Sequence, residues 1–170
     1  MSTNPIMKNS FLLVIKLNKS AKLVLKMEEL APPVCDFPPK SVCDKFLDDF
    51  NGTDYIVSPS ASCTGFVRNY YGKLYENSAQ INVAKKTSAR IYELSDFLIN
   101  ILKIEDVGAT FNGKVTYHDS CAALRECNTK TEPRKLLSKV KGLELVEMND
   151  VETCCGFGGS FAVKFEPISI

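Results

Sequence analysis

Apolar positions along this chain alternate between short runs of strand length and stripes at helical spacing. Residues 10–17, with the run Phe11-Leu12-Leu13-Val14-Ile15, predict a strand. Residues 20–30 carry Ala21, Leu23, Val24, Met27 and Leu30 close to a helical period, so a helix is predicted there. Pro32-Pro33 and Pro38-Pro39 stop regular structure over 31–40. A short helix follows over 41–50, with Val42, Phe46, Leu47 and Phe50 on one face, and then a strand over 54–57. From Ser58-Pro59-Ser60-Ala61-Ser62-Cys63 a helix is predicted through Tyr70. Residues 78–102 form the strongest helical stretch, with Ile91, Leu94, Leu98, Ile101 and Leu102 in one stripe. Ser95-Asp96 reads as an N-cap inside it, which predicts two consecutive helices. A strand over 115–117 ends in His118-Asp119-Ser120-Cys121, and a helix is predicted over 122–127. Pro133 suits the start of a helix over 134–140, and a strand over 143–146 leads to Thr153-Cys154-Cys155-Gly156-Phe157-Gly158-Gly159. Strands alternating with helices predict an α/β fold with a mainly parallel sheet. Sites in such sheets gather at the carboxyl ends of strands, and Cys63, Cys121 and Cys154-Cys155 each follow a predicted strand.

Composition adds boundaries to that picture. The 170 residues make one domain or two half-domains, and 45% hydrophobic with 24% charged residues is globular. A net charge of +1 gives no electrostatic reason to expect nucleic acid. The apolar run at 11–15 is five residues long, too short for a signal-peptide core or a membrane span. Seven cysteines (35, 43, 63, 121, 127, 154, 155) are an odd number without the spacing of a disulfide framework. Free thiols or metal ligands in a reducing cytoplasm are expected.

The adjacent cysteines are the main chemical signal. A trans dipeptide does not offer the geometry of a disulfide, so Cys154 and Cys155 do not readily bridge each other. Two thiolates at one glycine-rich turn can instead face one metal or polynuclear cluster, while glycine lets the backbone approach it. Cys121, Cys154 and Cys155 are therefore candidate ligands, with three inert buried thiols as the other reading. Zinc accepts three cysteines and a histidine, and His118 is the sole histidine. Its plainer role is hydrogen bonding at a strand end, orienting the loop. Asp119 is expected to cap the following helix, and Cys127 to be a packing cysteine. Cys35 and Cys43 are given no role. Gly156 to Gly159 lacks the Lys-Ser/Thr of a phosphate loop, and a Cys121–His118 nucleophilic pair has no assured geometry.

Tyr55-Ile56-Val57-Ser58-Pro59-Ser60-Ala61-Ser62-Cys63, Tyr92-Glu93-Leu94-Ser95-Asp96-Phe97-Leu98, Lys114-Val115-Thr116-Tyr117-His118-Asp119-Ser120-Cys121 and Cys154-Cys155-Gly156-Phe157-Gly158-Gly159 belong to one pattern. Over residues 44–169 the chain resembles the cysteine-rich CCG-domain family of iron–sulfur oxidoreductases, its lactate-utilisation branch above all. The cysteine-rich subunit of heterodisulfide reductase and the iron–sulfur subunit of glycolate oxidase are relatives in that family. The resemblance implies a doubled module in two pseudo-repeated halves, each a short parallel sheet flanked by helices. It assigns 1–40 to a degenerate start of the first module, 41–110 to its remainder and 111–170 to the second. Cys121, Cys154 and Cys155 then match the early cysteine and CCG turn of the second module. Cys63 looks like the closing cysteine of the first, with Ser60 where a second cysteine would stand. An iron–sulfur cluster, of 4Fe–4S type, is the implied cofactor. The implied function is electron transfer from L-lactate or a similar 2-hydroxy acid, in the cytoplasm, alongside other subunits of an oxidation complex. The family pattern also places an early cysteine on the first strand, where 11–17 has none, and a first CCG turn where Ser41-Val42-Cys43-Asp44 stands. A final CxxC would fall beyond Ile170, so an internally deleted and shortened module with an exposed apolar edge is expected. A cluster-free interaction or structural domain, or a zinc-binding structural domain, is the alternative.

Overall fold

The computed structural model describes residues 10–17, 24–30 and 40–156, with side chains placed from 40 onward. The chain divides into two compact units, Met1–Leu94 and Ser95–Ile170.

In the first unit, strands β1 (Ser10–Leu17), β2 (Val24–Leu30), β3 (Tyr55–Ser58) and β4 (Ile91–Glu93) form a sheet in the order β2-β1-β3-β4. Strands β3 and β4 pair in parallel, Ile56 opposite Ile91, as an α/β unit requires. Strand β1 joins antiparallel on both sides. The helix expected over 20–30 is corrected by this sheet: Val24–Leu30 is strand β2, paired with β1 from Ser10↔Leu30 to Lys16↔Val24. An isolated helix of that length is marginal in water, whereas the β1 edge supplies partners for the backbone groups of the segment.

Among its described residues the unit also carries helices α1 (Lys40–Asp49), α2 (Ala61–Tyr70) and α3 (Ser78–Ser88), with a 3-10 turn over Tyr71–Leu74. Their apolar faces meet around Cys43, Phe46, Leu47, Phe50, Ile56, Val67, Tyr71, Tyr75, Ala84 and Ile91. Phe46 stacks at a tilt on Phe50 with centroids 4.6 Å apart, and meets the edge of Tyr71 at 5.5 Å. The Arg68 guanidinium donates to the Ile91 carbonyl at 2.8 Å, lashing α2 to β4. The stripe over 78–102 does not make two consecutive helices. Strand β4 intervenes, because Ile91 is drawn into the core beside Ile56. Ser95, expected as an N-cap, lies inside the short helix α4 (Leu94–Asp96) and is buried.

The second unit opens with a π-helical turn, Phe97–Ile101, continuous with α4. Strands β5 (Thr110–Val115) and β6 (Lys141–Leu145) pair in parallel, with Val115 opposite Leu145. Between them lie a π-helical turn, Ala122–Glu126, and helix α5 (Thr131–Ser138) with Pro133 in its first turn. Gly142 has φ +81°, a conformation that favours glycine, where β6 starts beside β5. Leu102, Ile104, Val107, Phe111, Val146 and Met148 are exposed. The α/β character read from the sequence holds in both units. Among the described residues, no helix is long and apolar enough to cross a membrane.

Phe50 is 1% exposed at the centre of the aromatic cluster. Phe50→Ala is expected to lower stability by about 3–5 kcal/mol, read as a shift in urea midpoint.

Candidate functional site

The second unit carries two cysteine-bearing loops, one after each strand. Strand β5 leads through Thr116 and Tyr117 into His118-Asp119-Ser120, and Cys121 heads the π-helical turn. Strand β6 leads through 146–153 to Cys154-Cys155-Gly156, and Gly156 takes φ +75°, a conformation that favours glycine. All three thiols are exposed.

Main-chain bonds tie the two loops together. The Asp119 N–H donates to the Val151 carbonyl at 3.0 Å. His118 Nε2 lies 2.8 Å from the Thr153 carbonyl oxygen, which can only accept, so Nε2 carries the proton in this contact. The Thr153 N–H donates to Asp150 O at 2.8 Å, closing the turn just before the cysteine pair. The orienting role expected of His118 is what this bond performs. It also occupies one ring nitrogen, which leaves only Nδ1 for a zinc ion.

A guanidinium underpins the same junction. Arg134, on α5, donates to both carboxylate oxygens of Asp119, at 2.7 and 3.1 Å. The Asp119 side chain is fully buried and that of Arg134 is 20% exposed. The same guanidinium forks onto Glu147, at 2.6 and 3.0 Å, and lies over the Tyr117 ring at 5.2 Å. Lys130 pairs with Glu152 beside it. Hydrogen bonds from Arg134 hold the Glu147 carboxyl below its ordinary value. Removing the cation would leave a buried carboxylate uncompensated, which costs about 3–5 kcal/mol.

The helix cap expected of Asp119 is corrected by this pairing: its carboxylate is engaged by Arg134. The Ser120 hydroxyl caps the turn instead, accepting from the Ala123 N–H at 3.3 Å. Arg134 and Glu147 carry no local signal of this role, because they lie 15 and 28 residues from Asp119 in a pattern of ordinary surface charge.

The remaining cysteines fall elsewhere. Cys63 sits in the first turn of α2, half-buried, and its N–H donates to the capping Ser60 hydroxyl at 3.4 Å. Cys43 is fully buried in the first unit's core; burial pushes its thiol up, partly offset by a hydrogen bond with Tyr71. Cys127 is 4% exposed, a packing cysteine as expected. Cys35 and the stretch 157–170 lie outside the described residues.

In donor chemistry the second-unit thiols fit an iron–sulfur cluster: soft thiolates on loops with a glycine turn. In arrangement they have not converged. Among the described residues, no group of three or more His, Cys, Asp or Glu side chains stands together as a metal site. The site consists of two tethered loops with exposed thiols.

One comparison with known proteins falls on this same region. Residues 115–170 match the family profile of the cysteine-rich domain CCG. Over 130 residues, 76% of the chain, the sequence is 43% identical to lactate utilization protein A of Bacillus subtilis, covering 55% of that protein. It is 42% identical over the same length to lactate utilization protein A of Geobacillus kaustophilus, covering 54%. The chain spans about half the length of the curated relatives it matches. No solved structure matches it.

Two outcomes test this geometry. Alkylation of the native protein, mapped by mass spectrometry, is expected to label Cys121, Cys154 and Cys155 well before Cys43 and Cys127. Glu147, whose folded value lies below the ordinary 4.5, contributes stability that is complete above that value and is lost as pH falls through the lowered one. The difference in urea midpoint between the unsubstituted protein and Glu147→Gln should therefore be present at neutral pH and vanish in acid.

Proposed function

Because the chain carries a cysteine-rich CCG domain over residues 115–170, we propose that it is an iron–sulfur electron-transfer component in the oxidation of lactate or a similar 2-hydroxy acid. It works in the cytoplasm with partner subunits that bind the hydroxy acid. The observation that carries this reading is the tethering of the Cys121 loop to the Cys154-Cys155 turn through Asp119 N–H to Val151 O and His118 to Thr153 O. The likeness to proteins named for lactate utilization supports the substrate class.

In this reading Cys121, Cys154 and Cys155 supply thiolates. A bound cluster, of 4Fe–4S type, supplies one-electron redox chemistry. The protein's own part is to keep thiolates available at two adjacent loops and to hold those loops by the main chain. His118 serves as a loop-orienting donor and not as a ligand.

Anaerobic reconstitution with ferrous iron and sulfide, followed by iron and acid-labile sulfide assay, tests the reading. The expected result is bound iron and sulfide with thiolate–iron charge-transfer absorbance. Cys121→Ser, Cys154→Ser and Cys155→Ser should each lower iron per chain severalfold, while Cys127→Ala leaves it near the unsubstituted level. A chain that takes up no iron under these conditions would sink the electron-transfer role. Uptake of zinc alone would favour a structural domain.

A further inference from the structure

We propose that Arg134 is the positioning residue that sets the Cys121 loop and the Cys154-Cys155 turn in one arrangement, through forked contacts to Asp119 and Glu147. The inference rests on the ligand role proposed for the three cysteines.

The geometry supports each link. Asp119 stands two residues before Cys121, with its side chain fully buried. A buried carboxylate must be paired, and Arg134 fills both of its oxygens from one side. That fixes the orientation of the Asp119 residue and aims its N–H at the Val151 carbonyl, three residues before Cys154. The adjacent Nε–Nη2 edge of the same guanidinium holds Glu147, on the segment that carries the chain from β6 toward the cysteine pair. One planar cation therefore constrains both loops. The donation from Arg134 to the Lys130 carbonyl at 2.8 Å, with the Tyr117 ring beneath, locks the guanidinium plane. Lysine is a point charge and cannot reproduce two forks at once.

The test uses the full chain with Arg134→Lys and, because that variant keeps the charge but risks the fold, the milder Glu147→Gln. Amide hydrogen exchange is measured by peptide and by residue, and cobalt(II) serves as the metal probe through its thiolate charge-transfer band. In Arg134→Lys the Asp119 amide is expected to exchange about tenfold faster or more, as follows the loss of a charge-assisted tie, while β5 and β6 amides keep their protection. Apparent cobalt affinity should fall about 10–100-fold, the usual effect of losing a residue that orients ligands, with the band weakened at saturation. Glu147→Gln should show the same pattern at smaller size.

An Asp119 amide that exchanges as in the unsubstituted chain overturns the proposal. So does an equal rise across β5 and β6, which would mark general destabilisation, and so does unchanged cobalt affinity with loosened loops. If the unsubstituted chain binds neither cobalt nor iron, the proposed function fails, and the exchange pattern alone decides whether Arg134 joins the loops.

Discussion

A carboxylate taken wholly out of water obliges the surrounding chain to bring it a cation. Asp119 creates that demand within the second unit, and Arg134 meets it from one turn inside α5. Everything near the cysteine loops is arranged around the resulting pair. Helix α5 has no fully buried residue, so hydrophobic burial contributes little to where it sits. Its position is set instead by polar contacts at its N-terminal half: Arg134 to Asp119 and Glu147, Glu132 to Asn100, Lys130 to Glu152. Exposed pairs of the last kind are individually worth little, which leaves the buried one to dominate.

The two units hold themselves together by different means. The first closes an aromatic and aliphatic core in which Phe50, Ile56, Val57 and Ile91 are almost fully buried. Strand pairing and helix faces agree there, and the Arg68 bond to the Ile91 carbonyl adds to a core already closed by apolar side chains. Among the described residues of the second unit, the strand residues are mostly exposed and few apolar side chains are fully covered. Where burial is thin, directional contacts carry the specification of the structure, and forked guanidinium–carboxylate bonds are the most directional ones present.

That contrast explains what could be read from the amino acids. The strand before Cys63 was legible as a short apolar run ending in a polar loop, and residues 143–145 of β6 were legible in the same way. The strand expected over 115–117 shares only Val115 with β5, whose 110–114 part alternates too little to read. Residues 40–49 and 61–70 were legible as helices for the same local reason. Strand β2 was not, because a weak helical stripe at Leu23, Val24, Met27 and Leu30 competes with an edge that exists only once β1 has formed. Strand β4 was hidden by Ile91 and Leu94 extending the stripe of α3; what separates them is a partner at Ile56, far away in sequence. The site divides similarly. The thiols announce themselves, since two adjacent cysteines before glycine are unusual. Asp119 looked like a helix cap because caps are local, and its true partner on α5 has no local trace.

Preorganisation in this site stops at the backbone. His118, Asp119 and Thr153 use main-chain or main-chain-directed bonds to join the loops, and Gly156 provides the positive φ that ends the turn. The thiols themselves are left exposed and unconverged. A thiol must lose its proton before it binds metal. A loop that gathered three thiolates in advance would have to offset their mutual repulsion in the absence of metal. For the proposed ligand role, fixing the peptide framework while leaving the thiols apart avoids that repulsion. The buried Asp119–Arg134 pair is what makes the framework rigid enough for that division to work.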